Sequence, residues 1–235
     1  MNNVDLMLLE KQKIDKLKKN GLDPDGINEF KSKIKKVSKK EKEALGKELF
    51  DLLMSNSYND STDWEKIVEL IYKGANIEYK DDKKGDFALL RCARKGYLKA
   101  FLALISAGAN VNQKNNYLTT TTMASARHGN KEILEILILM NADINAKCKD
   151  GDNAIISARK HNRVECFNML VNAGANLCVV SQEGKSIYSF GSNPKFESPL
   201  IETASKREII SNRFDTDIND IFEEAKKDME KILKK

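Results

Sequence analysis

Two histidines, His128 and His161, are the only imidazoles in the 235-residue chain, and they stand 33 positions apart. A two-histidine metal site or a catalytic acid–base pair needs carboxylates or thiolates at defined spacing around them. No such arrangement accompanies either residue. The four cysteines, Cys92, Cys148, Cys166 and Cys178, form neither a CxxC pair nor a zinc-type pattern. Gly184-Lys185-Ser186 matches only the tail of a phosphate-binding loop and lacks the glycine-rich run that cradles phosphate. The residues therefore predict no catalytic site, no cofactor and no metal. What remains is charge in a pattern: the basic pairs Arg94-Lys95, Arg127-His128 and Lys160-His161 recur at intervals of 33. Bases at such places complement the negative end of a helix dipole, and a periodic row of them also suits an acidic partner surface.

Composition narrows the scaffold that holds these pairs. With 12 Gly and 3 Pro, the chain lacks the turn formers of a β-sandwich, and 41% hydrophobic residues against 32% charged exclude compositional disorder. An all-α protein is expected. Forty Lys+Arg against 35 Asp+Glu leave +5, too little to select a partner. Met1–Glu10 has no basic leader and carries Asp5, so no secretory signal is read there. Ile133–Met140 holds Glu135 and is too short to span a bilayer. A cytoplasmic, reducing compartment is the expectation.

Self-comparison gives the organisation. Gly74-Ala75-Asn76-Ile77 returns as Gly108-Ala109-Asn110-Val111, Asn141-Ala142-Asp143-Ile144 and Gly174-Ala175-Asn176-Leu177, at spacings of 34, 33 and 33. Gly85, Leu118, Gly151 and Gly184 form a second series, 33 apart, in the same phase. Between the markers, Ile133, Leu134, Ile136, Leu137 and Ile138 make a helix apolar over so wide a face that neighbouring units must cover it. The shorter helix of each unit carries small inward residues at Cys92-Ala93, Ser125-Ala126 and Ala158-Arg159. The Gly or Asn that follows each apolar helix supplies a left-handed residue to end it.

The period and the hairpin-plus-two-helices unit resemble the ankyrin repeat. The resemblance covers about residues 41–190: a capping pair at 41–80, full repeats at 82–114, 115–147 and 148–180, and a partial repeat at 181–190. It implies an all-α ankyrin-repeat solenoid with helical N- and C-terminal caps, working as a protein–protein interaction module or scaffold. The family's Thr-Pro-Leu-His stands here as Phe87-Ala88-Leu89-Leu90, Thr120-Thr121-Thr122-Met123, Asn153-Ala154-Ile155-Ile156 and Ser186-Ile187-Tyr188-Ser189. Thr120, Asn153 and Ser186 can cap a helix; Phe87 cannot, which leaves Asp86 as the expected cap. By the resemblance, partner contacts fall on hairpin tips and the concave first-helix face. These are Lys83, Lys84, Asp86, Arg94 and Lys95; Asn115, Asn116, Tyr117, Thr119, Arg127 and His128; and Lys149, Asp150, Asp152, Lys160 and His161. Tyr117, the aromatic at a tip, is the leading anchor.

The flanks, 1–40 and 191–235, read as further helices. Ile27, Phe30, Ile34 and Val37 form a helical stripe, and Ser38 with Glu41 a capping box. Ile218, Ile221, Phe222, Ala225, Met229 and Ile232 form an amphipathic helix that either seals the array or pairs two chains, giving a monomer or a weak dimer. The Lys-rich segment 31–42 offers a rival function, binding of nucleic acid or anionic membrane. It lacks arginine and interleaved aromatics, which disfavours nucleic acid. A secreted effector acting on a host protein is the other alternative.

Overall fold

The computed structural model describes residues 31–190 together with Lys19, Lys195 and Phe196. Eight α-helices lie in that span: α1 (Lys39–Met54), α2 (Trp64–Tyr72), α3 (Ala88–Lys95), α4 (Leu98–Ser106), α5 (Thr121–His128), α6 (Lys131–Leu139), α7 (Ala154–Lys160) and α8 (Val164–Asn172). A 3-10 turn, Ile187–Phe190, follows. No strand occurs among the described residues, only isolated bridges between Lys80 and Phe87 and between Lys114 and Thr120. The described residues form an all-α repeat solenoid. Short helices α3, α5 and α7 stack on one another, and α2, α4, α6 and α8 form the second layer.

The second layer shows why the period is fixed. Ile67, Leu70 and Ile71 in α2 are matched by Phe101, Leu104 and Ile105 in α4, and by Phe167, Leu170 and Val171 in α8. Each trio has i, i+3, i+4 spacing and is buried, so each helix covers its neighbour's apolar face. In α6 the buried set widens to Ile133, Leu134, Ile136 and Leu137, the face that the sequence made apolar. Gly74, Gly108, Asn141 and Gly174 end this layer at φ 96, 95, 56 and 80°, as the Gly/Asn series requires. Thr120 and Asn153 cap α5 and α7 by accepting from the N–H groups of Met123 and Ile156.

Three expectations meet a different arrangement. Asp86 does not cap α3: its carboxylate binds the Arg94 guanidinium and accepts from Asn115 Nδ2 at 2.7 Å. Phe87 takes the cap position with an extended backbone and a fully buried ring. The stripe through Ile34 and Val37 is not one continuous helix. Residues 35–38 are non-helical, Lys35 N–H donates to Tyr72 O at 2.9 Å, and Ile34 packs against the core. Val37 stands beside Gly74, where this strap passes the end of α2. Arg159, in a slot that Ala93 and Ala126 fill in earlier repeats, is buried. It donates from Nε to Ile187 O at 3.2 Å, with its guanidinium 4.3 Å from the centre of the Phe196 ring. The amphipathic stretch 218–232 and the stripe's first half, Ile27 and Phe30, lie outside the described residues.

Gly46 of α1 marks the tightest approach between the first helix and the array. A β-carbon there would stand 2.6 Å from Asn76 O and 2.8 Å from Asn76 Cβ, and Asn76 N–H donates to Lys42 O at 2.9 Å. Gly46→Val should therefore destabilise the protein by about 2–3 kcal/mol through overpacking against a backbone that cannot yield. Thermal unfolding checks this; an unchanged Tm would mean that α1 does not pack on the array as described.

Candidate functional site

Each hairpin is closed by one repeated backbone bond. Asp81 N–H donates to Asp86 O, Asn115 to Thr119 O, Cys148 to Asp152 O and Ser181 to Lys185 O, at 2.8–3.2 Å. The first hairpin is one residue longer between its bridge partners, Lys80 to Phe87 against Lys114 to Thr120. That extra residue is why the first spacing of the Gly-Ala-Asn series is 34. Polar side chains hold the loops from within: Asp81 accepts from the N–H groups of Lys83 and Lys84, and Asn115 Oδ1 from those of Tyr117 and Thr119.

The hairpins are also tied to one another. Asn116 N–H donates to Lys84 O, Lys149 to Tyr117 O and Gln182 to Asp150 O, each at 2.9 Å. A second ladder runs along the Gly-Ala-Asn turns. Asn110 N–H donates to Glu78 Oε1, Asp143 to Asn112 Oδ1 and Asn176 to Asn145 Oδ1, at 2.7–2.8 Å. Glu78, Asn112 and Asn145 were not singled out from the sequence. Their signal was the polar residue two places after each Asn/Asp, which gives way to Cys178 in the last copy. Asp60 was also missed; it accepts from the N–H groups of Lys99 and Ala100 and so caps α4 from the preceding connection.

The expected contact residues separate into two kinds. Lys83, Lys84, Asn116, Tyr117, Lys149 and Asp150 are exposed along the row of tips. Asp86 and Asn115, at 7% and 4% exposure, work inside the loops instead, bridging the first two repeats through their mutual hydrogen bond. At the helix ends, the side chain of Arg94 turns back to Asp86, and Lys160 Nζ lies 3.4 Å from Asp152 Oδ2. Thr119 fills the corresponding place in the middle repeat and offers no charge. Arg127 is exposed and has no acidic partner among the described residues, and Lys95 is likewise exposed. His161 Nδ1 lies 3.0 Å from Ser157 O.

His128 adds no full charge to this row at neutral pH. Partial shielding of its ring by the protein body lowers its pKa, and Arg127, Arg94, His161 and Arg163 lower it further. Among the described residues, the charge of the row that lacks an acidic partner thus rests on Arg127 and Lys95, since Arg94 and Lys160 are paired with Asp86 and Asp152.

The cysteines are thiols. Cys92 and Cys166 are buried, and burial pushes the Cys166 thiol up to about 11, which makes both inert apolar packing. Among the described residues no group of three His, Cys, Asp or Glu side chains could hold a metal ion. Nor is any helix there long and apolar enough to cross a membrane.

Residues 84–116 match the family model of the ankyrin repeat, and residues 116–181 match that of ankyrin repeats in three copies. Residues 84–181 are ankyrin repeats. Among curated proteins it is 31% identical over 106 residues to the ankyrin repeat and KH domain-containing protein mask-1 of Caenorhabditis elegans, covering 45% of this chain and 4% of that one. It is 26% identical over 151 residues to the human neurogenic locus notch homolog protein 2, and 27% identical over 154 residues to human notch homolog protein 1. Those alignments cover 63% and 64% of this chain and 6% of each relative. The ankyrin array therefore corresponds to a small part of much longer proteins. Ankyrin repeats as a class mediate protein–protein interaction.

Proposed function

We propose that this ankyrin array binds a protein partner through the row of hairpin tips and the adjoining ends of α3, α5 and α7, where Lys95, Arg127 and His128 stand. The observation that carries the reading is the set of three equal hairpin-to-hairpin bonds. They hold exposed side chains of successive repeats in fixed register, so the surface is preorganised and little ordering entropy is lost on binding. Lysines at the tips, with Lys95 and Arg127 behind them, favour a partner with an acidic face.

The test compares proteins captured from cell extract by the wild type and by a variant reversed at Lys83, Lys84, Lys95 and Arg127 to Glu. Arg94 is left intact because it is committed to Asp86. A control reverses Lys99 and Lys131, away from the tips. The tip variant should lose specific partners that the control retains, and the surviving association should be about tenfold slower with a weakened salt dependence. Identical capture by both variants would remove the proposed surface.

A further inference from the structure

The middle hairpin departs from its neighbours at three consecutive positions. Tyr117 stands where Lys84 and Asp150 stand, Leu118 where Gly85 and Gly151 stand, and Thr119 where Asp86 and Asp152 stand. None of these three side chains makes a hydrogen bond or ion pair among the described residues. Leu118 is held at φ 58°, in the left-handed region that Gly85, Gly151 and Gly184 enter at φ 64, 80 and 72°. A residue with a β-carbon is strained there and glycine is not. Leu118 is 43% exposed and its neighbour Tyr117 52% exposed, so burial does little to offset the strain. Thr119 removes the carboxylate that engages Arg94 and Lys160 in the flanking repeats, and Arg127 is left without an acidic partner among the described residues. Strain, exposed apolar surface and an uncompensated guanidinium coincide in one repeat. Such a coincidence points to use rather than to packing.

We infer that Tyr117, Leu118 and Arg127 form a recognition site for a segment of a partner protein that carries a carboxylate within about two residues of a bulky apolar side chain. The inference rests on the protein-binding reading above. The apolar side chain would lie against Tyr117 and Leu118. The carboxylate would take the place beside Thr119 that the Asp86 and Asp152 carboxylates take in the neighbouring repeats, and pair with Arg127. The short separation follows because Leu118 and Thr119 are consecutive, with α-carbons about 3.8 Å apart. A nucleic acid suits the site less well: the exposed tips mix Asp82 and Asp150 with their lysines, whereas phosphate tracking needs an unbroken basic run.

The experiment uses the full chain and fluorescein-labelled peptides with a Gly/Ser background. One set carries Glu beside or next but one to Leu or Phe, a second replaces Glu by Gln, and a third separates the two residues by six positions. Fluorescence anisotropy should show the first set binding about tenfold more tightly than the others. Arg127→Gln should abolish the preference for Glu over Gln. Leu118→Gly should weaken binding about tenfold while raising Tm by about 2–4 °C, because it relieves the left-handed strain. Leu118→Asn, which tolerates that backbone, serves as a second variant and should also lose affinity. If Leu118→Gly raises Tm with affinity unchanged, or Arg127→Gln keeps the preference, the inference fails. Protein binding by the array then stands or falls separately, on the capture experiment. If no peptide of the first set outperforms its counterparts, or an oligonucleotide binds in their place with a steep salt dependence, the proposed partner chemistry is wrong.

Discussion

Phe87→Ala is expected to be among the most damaging single changes, costing about 3–5 kcal/mol for a fully buried aromatic ring. The more instructive substitution is Phe87→Thr, which restores the capping residue that the family pattern places there. A side-chain cap contributes about 1 kcal/mol. The lost ring outweighs it, so the threonine variant should still fall about 2–4 kcal/mol below the wild type. Urea unfolding followed by far-UV circular dichroism measures both. A threonine variant as stable as the wild type would mean that α3 needs a cap more than the core needs the ring.

Arg94→Ala comes next in size. Asp86 is buried, and its partners are the Arg94 guanidinium and Asn115. Removing the cation strands a carboxylate in the interior, a change that costs about 3–5 kcal/mol in fully buried pairs. Arg94 keeps 29% side-chain exposure, which admits water and brings the expectation down to about 2–3 kcal/mol. Arg127→Ala, at the equivalent position one repeat on, should stay within about 0.5 kcal/mol of the wild type, since no acidic partner among the described residues depends on it. Parallel thermal melts of the two variants check the contrast. Equal losses would show that both arginines serve the fold, and would take Arg127 out of the recognition site.

These two substitutions show where the sequence was readable. The period, the helix-ending Gly and Asn141, and the caps at Thr120 and Asn153 were all visible, because each is a local demand of the backbone on one residue type. For Asp86 the sequence offers two competing local roles. The winner depended on Arg94, eight residues away, and on Asn115 in the next repeat. The roles of Glu78, Asn112 and Asn145 are hidden for a similar reason: what they accept comes from the following repeat, so nothing within one unit shows it. The helical stripe through Ile34 and Val37 marks half-buried side chains but not the backbone that carries them. An extended strap held by Tyr72 O satisfies the same apolar positions. Among the expected contact residues, exposure could be foreseen at the tips, where loops project. The pairing of Arg94 and Lys160 with acids at the far end of their own helices could not.

The two ladders give the array a polarity with consequences for its length. Units 82–114 and 115–147 each offer a carbonyl and a side-chain acceptor on the downstream side, and units 115–147 and 148–180 meet them with N–H donors at the same two places. Units are thus interchangeable in the manner of plug and socket. A 33-residue cassette carrying an Asn-x-Asn turn could be spliced in after residue 147 with both of its joints already specified. Joined beyond residue 180 it would meet a different neighbour, because Cys178 stands where the next acceptor belongs and a thiol is a poor one. The same residue that breaks the pattern sets the gauge: it defines the end to which this surface can be extended, and leaves the interior junctions as the places where evolution or a designer can lengthen it.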